Sequence, residues 1–338
     1  MHTVTFKFRQ SVAALLREPK TEEQRASYVF PDRLWTEAIQ NEWAKREYIT
    51  LVLCKQEASP WQYGFKSEFN DAAVSNNAIK DHPNFAYLRI SRIEVLDKPE
   101  FEDEELFELK TSFTDFVNSV RFMIPTPVPA LPKPVDTPPS LSISGRFDEE
   151  TETELGNLFS QIKFAEVCTM PFKTAFDPIL MSQLQHNQIS DNFHLGHNSV
   201  YASSTMDILR RHFRETKIFS RLEMKNNPLF SFADFEAIFQ TLLEMPFSWD
   251  QVGDEECPDD EYVFLQAHFE EDATKKLCDF RPDLVDETDG DCYEPDDCEH
   301  WNRWTKNEEE GLCIQVQVFE NTNYWMFMFV RVGEFEEF

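Results

Sequence analysis

Glycine is scarce, at eight of 338 residues, and that scarcity bears on function at once. A phosphate-cradling loop needs glycine so that backbone N–H groups can approach the ligand. No G-x-x-x-x-G-K-[ST] run occurs, so nucleotide-binding folds lose ground. Basic charge is also short: 32 Lys and Arg face 62 Asp and Glu, a net charge of -30. Such a chain repels phosphate backbones, whose binding depends on Lys and Arg displacing counterions. Nucleic acid and anionic membrane surfaces are therefore poor partners. A basic target protein would be steered toward it, although acidity also simply keeps a Phe-rich chain soluble. Cysteines are few, odd in number at seven and irregularly spaced, and no Asn-x-Ser/Thr sequon occurs. That is not a secreted disulfide scaffold. The opening MHTVTFKFRQ lacks a signal-peptide core, and no apolar run approaches the roughly 18 to 20 residues of a membrane span. The expected location is cytoplasmic or nuclear, with reduced thiols.

Catalytic and metal-binding motifs are missing too. No G-x-S-x-G elbow, H-E-x-x-H or paired C-x-x-C is present. The acidic run 286 to 300 (DETDGDCYEPDDCEH) invites a site and fails each test. Aligning Gly290 with the glycine of a calcium loop puts Val285 at the first ligand position and no Glu at the twelfth. Cys292, Cys298 and His300 lack the paired spacing of a zinc site, and a flexible acidic loop is the expected reading. His194 and His197 (HLGH) are accounted for by turn polarity at a strand end. No cofactor, metal or catalytic residue is expected, and the chain reads as a binding protein rather than an enzyme.

What is abundant is phenylalanine, 32 residues, within 41% hydrophobic and 14% aromatic composition. Large rings are therefore expected to fill the core. At the front, Val12, Leu15 and Leu16 have helical spacing behind Phe6 and Phe8. Pro31 and Asp32 open a second helix with Leu34, Trp35, Ala38, Ile39 and Trp43 on one stripe. Strand patterns follow at ITLVLC, Trp61 to Phe65 and FAYLRISRIEVLD, then a helix face at Phe113, Phe116, Val117 and Val120. Residues 124 to 140 hold seven prolines and read as a linker or surface strap, with a ligand for a small adaptor domain as the functional alternative.

Beyond it, strands expected at Leu141 to Ser144, Phe164 to Thr169, Asn192 to Gly196 and Phe219 to Lys225 alternate with helices. Those helices are Glu150 to Gln161, Ala175 to Gln185, Ser204 to Phe213 and Ser231 to Leu243. Strand starts roughly 23 to 28 residues apart fit a leucine-rich-type strand-helix repeat. Leu222, Met224 and Asn227 keep a trace of its L-x-L-x-x-N core, and a generic α/β domain gives the same spacing. A strand at Tyr262 to Phe269, an acidic insertion over 270 to 311 and a hairpin joining Ile314 to Val318 with Tyr324 to Val332 complete the chain.

The expected fold class is α/β, with α+β character at the N-terminus. The segments are a helical module 1–53, a mixed region 54–123, the Pro-rich linker 124–140 and an irregular repeat domain 141–338 closed by a β-hairpin. Outward strand positions Ser142, Glu166, His194 and Glu223 would form the face that meets a target.

The N-terminal layout, FKFRQSVAALL, then TEEQRASYV, then LWTEAIQNEWAKRE, resembles a divergent F-box of the nematode type, opening on Val4, Thr5, Phe6, Phe8 and Val12. The resemblance implies docking on the Skp-type adaptor of an SCF ubiquitin ligase through Phe6, Phe8, Val12, Leu15, Leu16, Leu34, Trp35 and Ile39. It further implies that the leucine-rich-repeat-like domain holds a target protein, by proximity and without chemistry of its own. Defence and the neutralisation of a toxin protein are among the roles found in such families. Two alternatives stand beside it: a decayed F-box protein that only sequesters its partner, and an unrecognised α/β enzyme.

Overall fold

Helix and strand patterns alternate along the chain, and each settles against a neighbour that covers its apolar face, giving an α/β fold. The computed structural model describes residues 33–68, 73–74, 79, 85–98, 106–125, 138–185, 192–195, 202–215, 221–224, 230–247, 261–277, 280, 298–307, 311–319 and 324–331. The chain divides into two compact units, Met1–Glu166 and Val167–Phe338.

In the first unit, α1 (Arg33–Lys45) leads into β1 (Glu47–Cys54), β2 (Gln62–Ser67), β3 (Ala73–Val74), β4 (Leu88–Leu96) and β5 (Phe107–Glu108). Next come α2 (Phe113–Val120), β6 (Ser140–Ser144) and α3 (Glu149–Phe159). The strand order is β3-β2-β1-β4-β6, with β5 also on β2. β1 runs parallel to β4 and β4 parallel to β6, while β2 is antiparallel to β1, β3 and β5. The run from Ile49 to Cys54 is buried throughout, as a strand covered on both faces must be. The expected boundary at residue 53 therefore lies inside a strand that pairs with residues 88–96.

Local signals set the helices. Ser112 caps α2 by accepting a hydrogen bond from the Asp115 N–H at 3.1 Å, and Phe113, Phe116, Val117 and Val120 are buried as their spacing predicts. Asp148 caps α3 through the Thr151 N–H at 2.7 Å. Rings then join the helices: Trp61 stacks on Phe113 at 4.1 Å, Phe113 meets Phe159 edge-on at 6.3 Å, and Phe159 meets Phe164 at 6.0 Å. Glycine is obligatory at position 145, where φ is +131° and a Cβ would lie 2.4 Å from Asp97 Cγ. The Asp97 carboxylate accepts the adjoining Arg146 N–H at 2.9 Å, fixing the turn after β6. The proline-rich segment lies outside the described residues from 126 to 137.

In the second unit, whose first strand begins at the boundary residue Glu166, strands and helices alternate strictly at first: β7 (Glu166–Met170), α4 (Asp177–Gln185), β8 (Asn192–Leu195), α5 (Ser203–Glu215), β9 (Arg221–Met224), α6 (Phe232–Glu244) and β10 (Glu261–His268). Then come α7 (Glu271–Leu277), β11 (Cys298–Asn307), β12 (Leu312–Phe319) and β13 (Tyr324–Arg331). The strand order is β7-β8-β9-β10-β13-β12-β11. β7 to β10 follow one another in space as in sequence, with β8, β9 and β10 parallel, and an antiparallel meander finishes the edge.

Two expectations for this end of the chain are corrected. The stretch 270–311 is not a mere insertion, since it contributes α7 and the edge strand β11. The hairpin β12–β13 lies between β11 and β10 and does not close the sheet. Trp304 anchors β11, being fully buried although an acidic stretch precedes the strand in sequence.

The core of this unit centres on Phe235. Its ring lies within 6.1 Å of the rings of Phe232, Phe239, Phe280, Trp304, Trp325 and Phe327. Phe235→Ala is expected to cost about 3 to 5 kcal/mol, because six rigid rings cannot collapse into the space it leaves. Urea unfolding of the two proteins checks this, and a loss below about 1 kcal/mol would show that the cluster repacks.

Candidate docking face

Burial alternates along the strands of the second unit, and that alternation defines a face. Phe193, Leu195, Leu222, Met224, Leu265 and Ala267 are buried, whereas His194, Glu223 and Gln266 between them are only half-buried. Successive side chains of a strand point to opposite faces, so the second set lies opposite the apolar set.

Register brings this second set into one row. His194 is opposite Glu223, Glu223 opposite Gln266, and Gln266 opposite Met326. His194 Nδ1 donates to Glu223 Oε2 at 2.7 Å, with the two side chains 30% and 14% exposed. Gln266 Nε2 donates to Met326 Sδ at 3.2 Å, and the Tyr324 hydroxyl donates to Gln266 Oε1 at 3.3 Å. Tyr324 in turn sits opposite His268 with ring centroids 5.0 Å apart. Imidazole, carboxylate, amide and phenol thus stand side by side, a row that can exchange hydrogen bonds with a protein surface.

Polar struts between consecutive helices hold the frame behind the row. Asp177, first in α4, accepts hydrogen bonds from the hydroxyls of Thr205 at 2.7 Å and Ser204 at 3.3 Å, both at the start of α5. Burial pushes the Asp177 carboxyl up, against the pull of those two hydroxyls. Arg210 of α5 makes a bidentate contact with Asp234 of α6, at 2.8 and 3.1 Å. Asp234 also completes a capping box with Ser231. Burial raises its pKa, but the Arg210 and Ser231 hydrogen bonds outweigh it and hold the carboxyl below its ordinary value. At the other end of α6, the Lys306 ammonium donates to the carbonyls of Leu242 and Met245 and lies 5.1 Å from the Phe329 ring. Burial lowers that lysine to about 8 and pushes His212 of α5 down to about 4.

In the first unit, α1 carries the remaining expected contacts. Leu34 is 46% exposed and Trp35 half-buried, but Ile39 is only 1% exposed. Ile39 is accordingly corrected from an adaptor contact to a core residue, packed inward with Ala38. Glu42, one turn on, is also buried, where its Oε1 accepts from Arg89 Nη2 at 2.7 Å and Arg46 Nη2 at 3.3 Å. Arg89 belongs to β4, so the pair ties α1 to the sheet.

The expected site residues are thus scattered by the structure as well as joined by it. Phe6, Phe8, Val12, Leu15 and Leu16 lie outside the described residues, as do Cys292 and His197. Ser142 lies half-buried in β6 of the first unit, opposite Glu94, and Glu166 is exposed at the start of β7. His194 and Glu223 are brought into direct contact. His194 is the third of four residues in β8, so strand-end polarity does not account for it. Gln266, His268 and Tyr324 were missed, and the alternating pattern YVFLQAH was the signal that could have found the first two. Among the described residues no group of three or more His, Cys, Asp or Glu side chains could hold a metal ion.

No helix among the described residues is long and apolar enough to cross a membrane. Comparison with known proteins gives no match, neither to a family model, nor to a curated protein, nor to a solved structure.

Asp234 yields a pH test. A carboxyl held below its unfolded value contributes stability that is fully present above that value, here 3.8, and is lost as pH falls through the lower folded value. Asp234→Asn should therefore cost about 2 kcal/mol at neutral pH, from the ion pair and the cap together. Thermal melts followed by circular dichroism should show the gap closing only in the acid range. A gap that stays constant with pH would assign the loss to packing instead.

Proposed function

We propose that this chain is a protein-binding adaptor of the F-box type, which docks on the Skp-type adaptor of an SCF ubiquitin ligase and holds a target on the row built around His194 and Glu223. The observation that carries the reading is the second unit's serial arrangement. β7 to β10 stand side by side in chain order, each followed by a helix, and the half-exposed polar side chains of β8, β9 and β10 fall in one row. A doubly wound sheet would reverse its strand order and set a ligand in the crevice at the reversal.

Mechanism in this reading is proximity. The target is held where a ubiquitin-loaded enzyme can reach it, which raises effective concentration and asks no chemistry of the adaptor. The acidity of the chain, net charge -30, favours a basic target or a basic patch on one. A defence factor or an antidote to a toxin protein is a role compatible with such a design. Expression in the cytoplasm or nucleus belongs to the same proposal.

A second reading draws on α1. Ile39 and Glu42 are taken up by the chain's own core, which leaves Leu34 and Trp35 as the large apolar side chains described on α1 that an adaptor could still reach. This favours a binder that sequesters its target without ubiquitination.

Co-purification distinguishes the two. If the first reading holds, the tagged chain retains the Skp-type adaptor, and Leu34→Asp with Trp35→Ala lowers recovery about tenfold or more. Target recovery is expected to survive those changes and to fall with Glu223→Lys. An adaptor that never co-purifies sinks the ligase reading, and target recovery indifferent to Glu223→Lys sinks the assigned face.

A further inference from the structure

Four large hydrophobic residues are exposed among the described residues, and two of them touch. Phe85 is 37% and Phe122 58% exposed, with ring centroids 5.8 Å apart and planes inclined at 57°. Each sits on a short turn whose other positions are needed elsewhere. Phe85 opens the 3-10 turn Phe85–Tyr87 that feeds β4, and Phe122 is the middle residue of the turn Arg121–Met123 after α2. Met123 beside it is 1% exposed and Val120 is 8% exposed, so the turn is anchored by its neighbours and not by Phe122. A single exposed ring calls for no explanation, but two in contact form an aromatic patch that water pays to keep open.

Among the described residues, two basic side chains lie on the segments that meet at the pair. Arg121, next to Phe122, is exposed and donates through Nη2 to the Gln161 carbonyl at 2.9 Å. Lys45, the last residue of α1, places Nζ 5.3 Å from the centroid of Tyr87, on the same turn as Phe85. Glu47, at the start of β1 opposite Leu88, is an exposed carboxylate two residues from Lys45, and it makes its own interactions within the molecule. Two cations beside two exposed rings, in a chain of net charge -30, are selective for negative charge and for an apolar side chain at once.

We propose that Phe85 and Phe122, with Lys45 and Arg121 beside them, form a docking patch for an acidic peptide segment of a partner protein that bears a leucine or aromatic side chain. The apolar side chain lies against the two rings, and its flanking carboxylates face Lys45 and Arg121. This surface is separate from the row at His194, which belongs to the other unit, and from Leu34, which stands at the opposite end of α1 from Lys45. It does not depend on the F-box reading.

The test uses the full chain and two fluorescein-labelled peptides of equal length, one alternating leucine with glutamate and the other leucine with lysine, read by fluorescence polarisation. The glutamate peptide is expected to bind, more weakly in high salt, and to lose affinity about tenfold when Phe85→Ser and Phe122→Ser are combined. Lys45→Glu with Arg121→Glu should cause a similar loss, and it decides the matter if the serine variant melts early by circular dichroism. The proposal is overturned if the wild-type chain binds neither peptide, if it binds the lysine peptide equally well, or if the charge-reversed variant binds as wild type. Light scattering on the same samples adds one more outcome: a wild-type dimer that both variants dissolve assigns the patch to a second copy of the chain and overturns the partner assignment.

Discussion

A strand covered by helices on one face must send every second side chain to the other, and that constraint organises the second unit. Leu222 and Met224 cannot both be buried beneath the helices unless Glu223 between them faces away, and the same holds for His194 and Gln266. Because β8, β9 and β10 are parallel and in register, these outward residues meet their counterparts directly. The polar row is therefore a consequence of burying the apolar one. Its position depends on the lateral spacing of α4, α5 and α6, which the Asp177 and Arg210 struts fix from helix to helix.

The chain fills its interior with rings. Interlocking aromatics such as Phe235, Trp304 and Trp325 contribute large apolar area and preferred ring-to-ring geometry, so few small residues are needed for close packing. One exception among the described residues is Gly145, where the Asp97 carboxylate comes too close for a Cβ.

Periodicity made most of the second half legible. The helix expected from Ser231 to Leu243 is found at Phe232–Glu244, and the strand expected from Asn192 to Gly196 at Asn192–Leu195. β7 begins two residues later than expected because Phe164 is buried ahead of the strand, with the Ala165 N–H already engaged by the Pro139 carbonyl. What stayed hidden depends on distant pairing. β11 was masked by the acidic residues before it, although Trp304 was the clue to its burial. The His194 and Glu223 contact joins positions 29 residues apart through a register that no local pattern encodes. Glu42 reads in sequence as one more solvated charge; its burial is compensated by Arg46 one turn on and by Arg89, 47 residues away, and the second partner is not visible in the local pattern.

That buried carboxylate also decides what α1 can be. A docking helix on a loose tether would let its partner wander, and the effective concentration on which a proximity mechanism relies would fall with the volume explored. Glu42 instead joins α1 to β4 inside the first unit, and Ile39 packs beside it. The cost is that Ala38, Ile39 and Glu42 are withdrawn from the surface, so that of the large apolar side chains described on α1 only Leu34 and Trp35 remain for an adaptor. Rigid placement and a small contact surface are thus two results of one buried ion cluster. An adaptor held there would gain its remaining affinity from residues N-terminal to Arg33, where the apolar run Phe6, Phe8, Val12, Leu15 and Leu16 lies in the sequence.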